Sequence, residues 1–217
     1  MAKKNKFKYI KSRIVPAKAD REKQEKFLKE TLEPLLEQSK NGERIVYFAD
    51  GVHVIYSGYS DYGWCTERLL VPSFYGRKRV NTLGFLNAYD NSVVTVTNNS
   101  YLNSDSVALG LEKLRLMNGD KLVSAIMDNA KYQKCEKVTT RAKELNIDLV
   151  YLPSYSPNLN LIERLWKFLR KKFLGNKYLE TFEIFMANMD KFIVEAHINY
   201  KEELETLLAH NFEVLGN

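Results

Sequence analysis

Leu122-Val-Ser-Ala-Ile-Met-Asp128, the stretch Lys134 to Leu145, and Ile147-Asp-Leu-Val-Tyr-Leu152 decide the fold class. The outer two are short apolar runs with the length of buried strands, and the middle one has helical spacing. A strand, a helix and a strand in that order call for parallel pairing within one sheet. Upstream the text is different. Arg44-Ile-Val-Tyr-Phe-Ala49 is an apolar run with no polar face, which predicts a buried, central strand. Trp64–Val71, Val80–Asn87 and Val93–Thr97 alternate or are β-branched, and short turns separate them. Consecutive strands with short loops form an antiparallel meander. Asp105–Met117 reads as a helix, as do residues 181–199 and 201–208. The expected fold is therefore α/β: a mixed sheet, antiparallel meander first and parallel strands after, with helices on both faces.

The 217 residues suffice for one domain with a sizeable core. Residues 1–43 read as a basic N-terminal arm and one helix, and residues 44–217 as the main domain. The helix, from Ala19 to about Gln38, has Asp20 placed to cap it and Asn41-Gly42 to close it. The net charge is +6, but seven of the 33 Lys/Arg lie in residues 1–18, which hold no acid. The other 26 face 27 Asp/Glu, so the basic character resides in the arm. Such an arm suits phosphate contact or simple solubility. No apolar run approaches the ~20 residues of a membrane span, and no apolar segment follows the basic N-terminus, so a secretory signal is not expected. Cys65 and Cys135 are far apart with no ligand-spaced partners, which argues against a disulfide framework or zinc site. A reducing cytoplasm fits.

Three acids stand where an open α/β sheet collects ligands, at strand ends and a helix start. Asp50 follows the first apolar run and Asp128 follows the run 122–127. Glu163 opens an amphipathic helix just after Pro153-Ser-Tyr-Ser-Pro157. If the strands of Asp50 and Asp128 are neighbours, their carboxylates approach, and like charges then need a shared proton or a cation. Mg²⁺ accepts such an all-oxygen shell and cuts and joins nucleic acid. Ile162, Trp166, Leu169 and Phe173 form the helix's apolar stripe, so Trp166 reads as core. Glu163 lies at the stripe's edge, and Asn158 or Asn160 is placed to cap the helix. Arg164, Lys167, Arg170 and Lys171 make a cationic ridge beside Glu163, and Arg77, Lys78 and Arg79 form a second basic cluster. Both are candidate DNA contacts. His53, Asn129 and Asn160 are candidates for supporting the carboxylates. Taken singly, each acid has an ordinary structural reading, as a turn residue or a first-turn helix acid.

Phe48-Ala-Asp-Gly-Val-His53, Met127-Asp-Asn-Ala-Lys-Tyr-Gln-Lys-Cys135 and Tyr151-Leu-Pro-Ser-Tyr-Ser-Pro-Asn-Leu-Asn-Leu-Ile-Glu-Arg-Leu-Trp166 together resemble the catalytic domain of D-D-E transposases, in the bacterial insertion-sequence branch of the Tc/mariner superfamily. The 34 residues between Asp128 and Glu163 match that branch. The resemblance spans about residues 44–195 and implies a ribonuclease-H-like, integrase-like fold. It implies that Asp50, Asp128 and Glu163 are catalytic and hold two Mg²⁺ ions, with Mn²⁺ able to substitute. It also implies a bacterial, cytoplasmic endonuclease and strand transferase. Water attacks at the transposon end, and the freed 3′-hydroxyl attacks target DNA at TA dinucleotides. Double-stranded DNA is the implied partner, with a homodimer formed on it. Many relatives have His where this chain has Gln133, so a histidine-assisted role is not implied there. Relatives also carry helix-turn-helix modules, whereas only about 43 residues precede the first strand here, so three readings stay open: the second frame of a split element whose DNA-binding module is separately encoded, a truncated copy, or an excised domain. Two alternatives stay open: a ribonuclease-H-like nuclease without strand transfer, and a non-catalytic DNA-binding or regulatory remnant.

Overall fold

Val46 and Phe48 bury into one apolar cluster and Tyr47 and Ala49 into another. Successive strand residues point to opposite faces, so a run with no polar alternation must be covered on both. In this computed structural model, which describes residues 15–60, 62, 64–73, 76, 78–175, 177 and 179–215, that run lies at the centre of the sheet. The strands are β1 Ile45–Ile55, β2 Arg79–Asn87, β3 Val93–Asn98, β4 Val123–Met127 and β5 Ile147–Tyr151, in the order β3-β2-β1-β4-β5. The β1–β2 and β2–β3 pairs are antiparallel, and β1–β4 and β4–β5 are parallel. This is the expected mixed sheet, with its first strand central.

One face carries α3 Ser104–Asn118 and α4 Glu136–Glu144, which bury Val107, Leu111, Leu114 and Val138. The other carries the N-terminal helical segment, α5 Ile162–Leu169, α6 Phe182–Asn199 and α7 Lys201–Leu207. That N-terminal segment runs as α1 Arg21–Phe27, a π-helical turn Leu28–Leu32, and α2 Glu33–Lys40. Asp20 caps it as expected, accepting from the Lys23 amide at 3.1 Å. It closes at Gly42, whose φ of +76° is a conformation that glycine adopts without strain. Leu32 and Leu36 bury in the same core as Phe48 and Trp166, so this segment packs onto the sheet.

Two expectations are corrected. Trp64–Val71 forms no strand in its described residues, and Trp64, Leu69 and Leu70 are exposed. Val52–Ile55 pairs directly with Arg79–Thr82, and the Tyr56 amide closes the base on the Lys78 carbonyl at 2.9 Å. The hairpin is thus closed at its base without this segment, and the described residues of Trp64–Val71 pair with no strand. Asp50 also does not end its strand. Antiparallel pairing with β2 carries β1 on to Ile55, past the point where parallel pairing with β4 stops. No described helix is long and apolar enough to cross a membrane.

Candidate active site

The parallel register sets the first two carboxylates side by side. Phe48 lies opposite Ile126, and two residues further along each chain come Asp50 and Asp128. Two residues is one full pleat, so both acids belong to the α5 face of the sheet. The third arrives by a loop. The Leu152 amide bonds the Met127 carbonyl at 2.9 Å, and Asn129 Nδ2 donates to the Leu152 carbonyl. The chain then makes a 3₁₀ turn, Pro157–Leu159, and enters α5, with Glu163 in its first turn. Asp50, Asp128 and Glu163 line one cavity of about 380 Å³, together with Asn129, Asn160 and the loop 152–157. A larger hollow of about 920 Å³, between α2 and the C-terminal segment, contains none of the three.

Burial pushes the Asp50 carboxyl up to about 7, the Glu163 charge adds to the rise, and the Asp128 charge adds less. A backbone donation from Gly51 and one from Trp166 oppose the rise. Trp166 Nε1 donates to Asp50 Oδ2 at 3.1 Å. Trp166 is core, 1% exposed, as its stripe position implies, yet its polar edge grips the site. Gly84, opposite Asp50 on β2, makes room for it: a Cβ there would sit 2.6 Å from Trp166 Cη2. Sequence reading missed both Gly84 and this role of Trp166, because nothing along the chain links positions 50, 84 and 166. Asp128 is held by accepting from the Ala130 amide at 2.9 Å.

Among the described residues, no three His, Cys, Asp or Glu side chains converge into a ready cation site. The donor chemistry nonetheless fits a hard divalent cation. The three acids offer only oxygen, and the like charges of Glu163 and Asp128 oppose ionisation of Asp50.

The remaining candidates separate. Asn129 and Asn160 line the cavity, and His53 does not. His53 is exposed, an odd number of residues from Asp50 and so on the other face of β1, where its Nδ1 pairs with Asn81 Oδ1 at 2.6 Å. Neither Asn158 nor Asn160 caps α5 through its side chain, because both side chains reach other elements. Arg164 is committed to the C-terminal segment: its guanidinium donates to the carbonyls of Leu207, Ala209 and Asn211. Lys167, Arg170 and Lys171 are exposed, and Lys167 borders a second cavity with Glu163. Lys78 lies over the Phe182 ring, and Arg79 donates to the Ser100 carbonyl at 3.3 Å. Arg77 and the arm residues 1–14 lie outside the described residues. Gln133 is fully buried, which suits support of the fold.

The fold is shared with solved transposase structures. A Mos1 transposase paired-end complex with the left transposon end matches at TM-score 0.64 and 17% identity, covering 98% of this chain and 70% of that one. The catalytic domain of Mos1 mariner transposase matches at 0.57 and 14%, covering 94% and 100%. At such identities the likeness shows the fold, which is ribonuclease-H-like, as the resemblance in sequence implied. No curated protein sequence matches the chain. A family model described as DDE superfamily endonuclease matches residues 45–185, the stretch that carries all three acids and all five strands of the sheet. The chain belongs to the DDE superfamily endonuclease family.

Proposed function

We propose that this chain is the catalytic part of a Tc/mariner-type transposase, in which Asp50, Asp128 and Glu163 hold divalent ions. The observation that carries this reading is that three acids, from β1, the end of β4 and the start of α5, line one cavity, inside the stretch that the family model matches. Bound Mg²⁺ or Mn²⁺ would supply Lewis-acid activation of the nucleophile and charge stabilisation at the leaving oxygen. The protein's own part is placement. Trp166 and Gly84 fix Asp50, the Ala130 amide fixes Asp128, and the proline-bounded loop aims Glu163. Lys167, Arg170 and Lys171 lie exposed along the same helix and the turn after it, where a phosphate backbone can lie against them.

The reaction is phosphoryl transfer in two displacements. Water attacks a phosphodiester, one P–O bond forms as another breaks, and the departing strand takes a proton to become a 3′-hydroxyl. That hydroxyl then attacks target DNA in the same manner, so no covalent protein intermediate is required. Of the related solved structures, one is a Mos1 strand transfer complex and two are Mos1 paired-end complexes with Mn and with Mg, which supports DNA and a divalent ion as ligands here. The catalytic domain is residues 44–217, preceded by the basic arm and the helical segment whose Leu32 and Leu36 join its core. The test is nicking of supercoiled plasmid with Mn²⁺, and joining of a pre-cut 3′-hydroxyl end to plasmid. Wild type nicks and joins, and Asp128→Asn does neither. Equal nicking by both removes Asp128 from the mechanism, whereas nicking without joining reduces the chain to a hydrolytic nuclease.

A further inference from the structure

Asn160 connects two carboxylates that lie far apart in sequence. It is 4% exposed. Its Nδ2 donates to the Ala49 carbonyl at 3.1 Å, on the peptide that enters Asp50. Its own backbone carbonyl accepts from the Glu163 amide at 3.2 Å. One residue therefore bonds the β1 backbone at the first acid and the α5 start at the third. Its remaining polar atom, Oδ1, is buried without a partner. Asn160 and Glu163 also form the wall between two cavities, the carboxylate cavity and a second one of about 470 Å³ bordered by Arg164 and Lys167. A buried amide oxygen left unpaired is costly, and a water or ion is one of the partners that satisfy such groups in native proteins. Beside three carboxylates, the donor chemistry that fits is the water of a hydrated divalent cation.

We propose that Asn160 is a positioning residue: its amide sets the spacing of Asp50 and Glu163, and its free Oδ1 accepts from the hydration shell of the cation they hold. The inference rests on the divalent-ion reading above. Outer contacts of this kind change metal affinity by about 10–100-fold. The probe is Mn²⁺ alone, titrated without DNA by calorimetry into the full chain, its Asp50→Asn variant, Asn160→Ala and Asn160→Asp. Denaturant midpoints are measured alongside. Asn160→Ala, with no acceptor, should bind Mn²⁺ about tenfold more weakly. Asn160→Asp loses the donation to Ala49 but keeps the acceptor, and should bind at least as tightly as wild type. The carboxylate of Asn160→Asp adds a charge that favours the cation in any case, so weakening in both variants overturns the proposal, as does an alanine variant equal to wild type. Should the alanine variant not fold, Asn160→Leu fills the volume and serves as the acceptor-free form. Wild type binding no better than Asp50→Asn would instead overturn the divalent-ion reading itself, and this proposal with it.

Discussion

Asp50 should make the metal-free protein less stable at neutral pH, and replacing it with Asn should make the fold more stable while removing function. Its carboxyl titrates near 7 in the folded chain against 3.8 for a free side chain, raised first by burial, then by the Glu163 charge and, less, by Asp128. Below pH 3.8 both states carry the proton and the group contributes nothing to the balance. Between 3.8 and about 7 the unfolded chain ionises while the folded chain holds its proton, so stability falls as pH rises. Above that window the full penalty applies, about 4 kcal/mol from the size of the shift. Asp50→Asn is isosteric, has no charge, and keeps an oxygen for the Trp166 indole donor.

The assay is urea denaturation of wild type and Asp50→Asn in chelator at pH 4, 6 and 8. Titrating groups that do not feel the Asp50 charge are common to both and cancel in the difference, which leaves Asp50 together with its coupling to Glu163 and Asp128. The variant should gain little at pH 4 and a few kcal/mol at pH 8. Divalent cation should then stabilise wild type alone, by about 2.7 kcal/mol at a hundredfold excess over Kd. A difference that stays flat with pH, or a variant less stable at pH 8, refutes the reasoning.

Trp166→Phe keeps most of the packing but removes a donor that favours ionised Asp50, so the upper end of the pH window of stability loss should move upward while the lower end stays at the unfolded value; no movement of the upper end would remove the indole's role. Gly84→Ala drives a methyl into the Trp166 ring and should cost about 1–3 kcal/mol with a changed tryptophan emission, while wild-type stability would show that the ring has room to shift. Arg164→Ala should lower the denaturation midpoint by loosening the segment after α7 while leaving the salt dependence of DNA binding unchanged. Lys167→Ala should do the reverse, reducing the salt slope by about one with stability intact, and exchange of these two outcomes would reassign which cation meets phosphate.

Much of the sheet was legible because its signals are local. An apolar run such as Ile45–Ala49 has to be covered on both faces wherever it lies, and the strand–helix–strand text from 122 to 152 admits parallel pairing. Register, by contrast, is a property of pairs. Asp50 looked like a strand end because the apolar run stops there, but β2 supplies hydrogen bonds that carry β1 onward. Trp64–Val71 has the alternation of a strand but pairs with none, and its side chains are largely exposed. His53 is three residues from Asp50 in sequence, and the pleat sends it to the opposite face.

The sequence alone determined the order and type of the main elements, the central position of the first strand, and three acids at positions where carboxylates gather. Those properties follow from hydrophobic periodicity, which acts within a few residues. Only the tertiary structure decided what holds the acids: the Trp166 indole on Asp50, the glycine at 84 that admits it, and the Asn160 amide between Ala49 and the start of α5. The indole on Asp50, the fit of Gly84 to Trp166 and the Asn160 side chain on Ala49 each join residues about 80 to 120 positions apart, fixed by the packing of α5 across β1 and β2, and no local pattern encodes them.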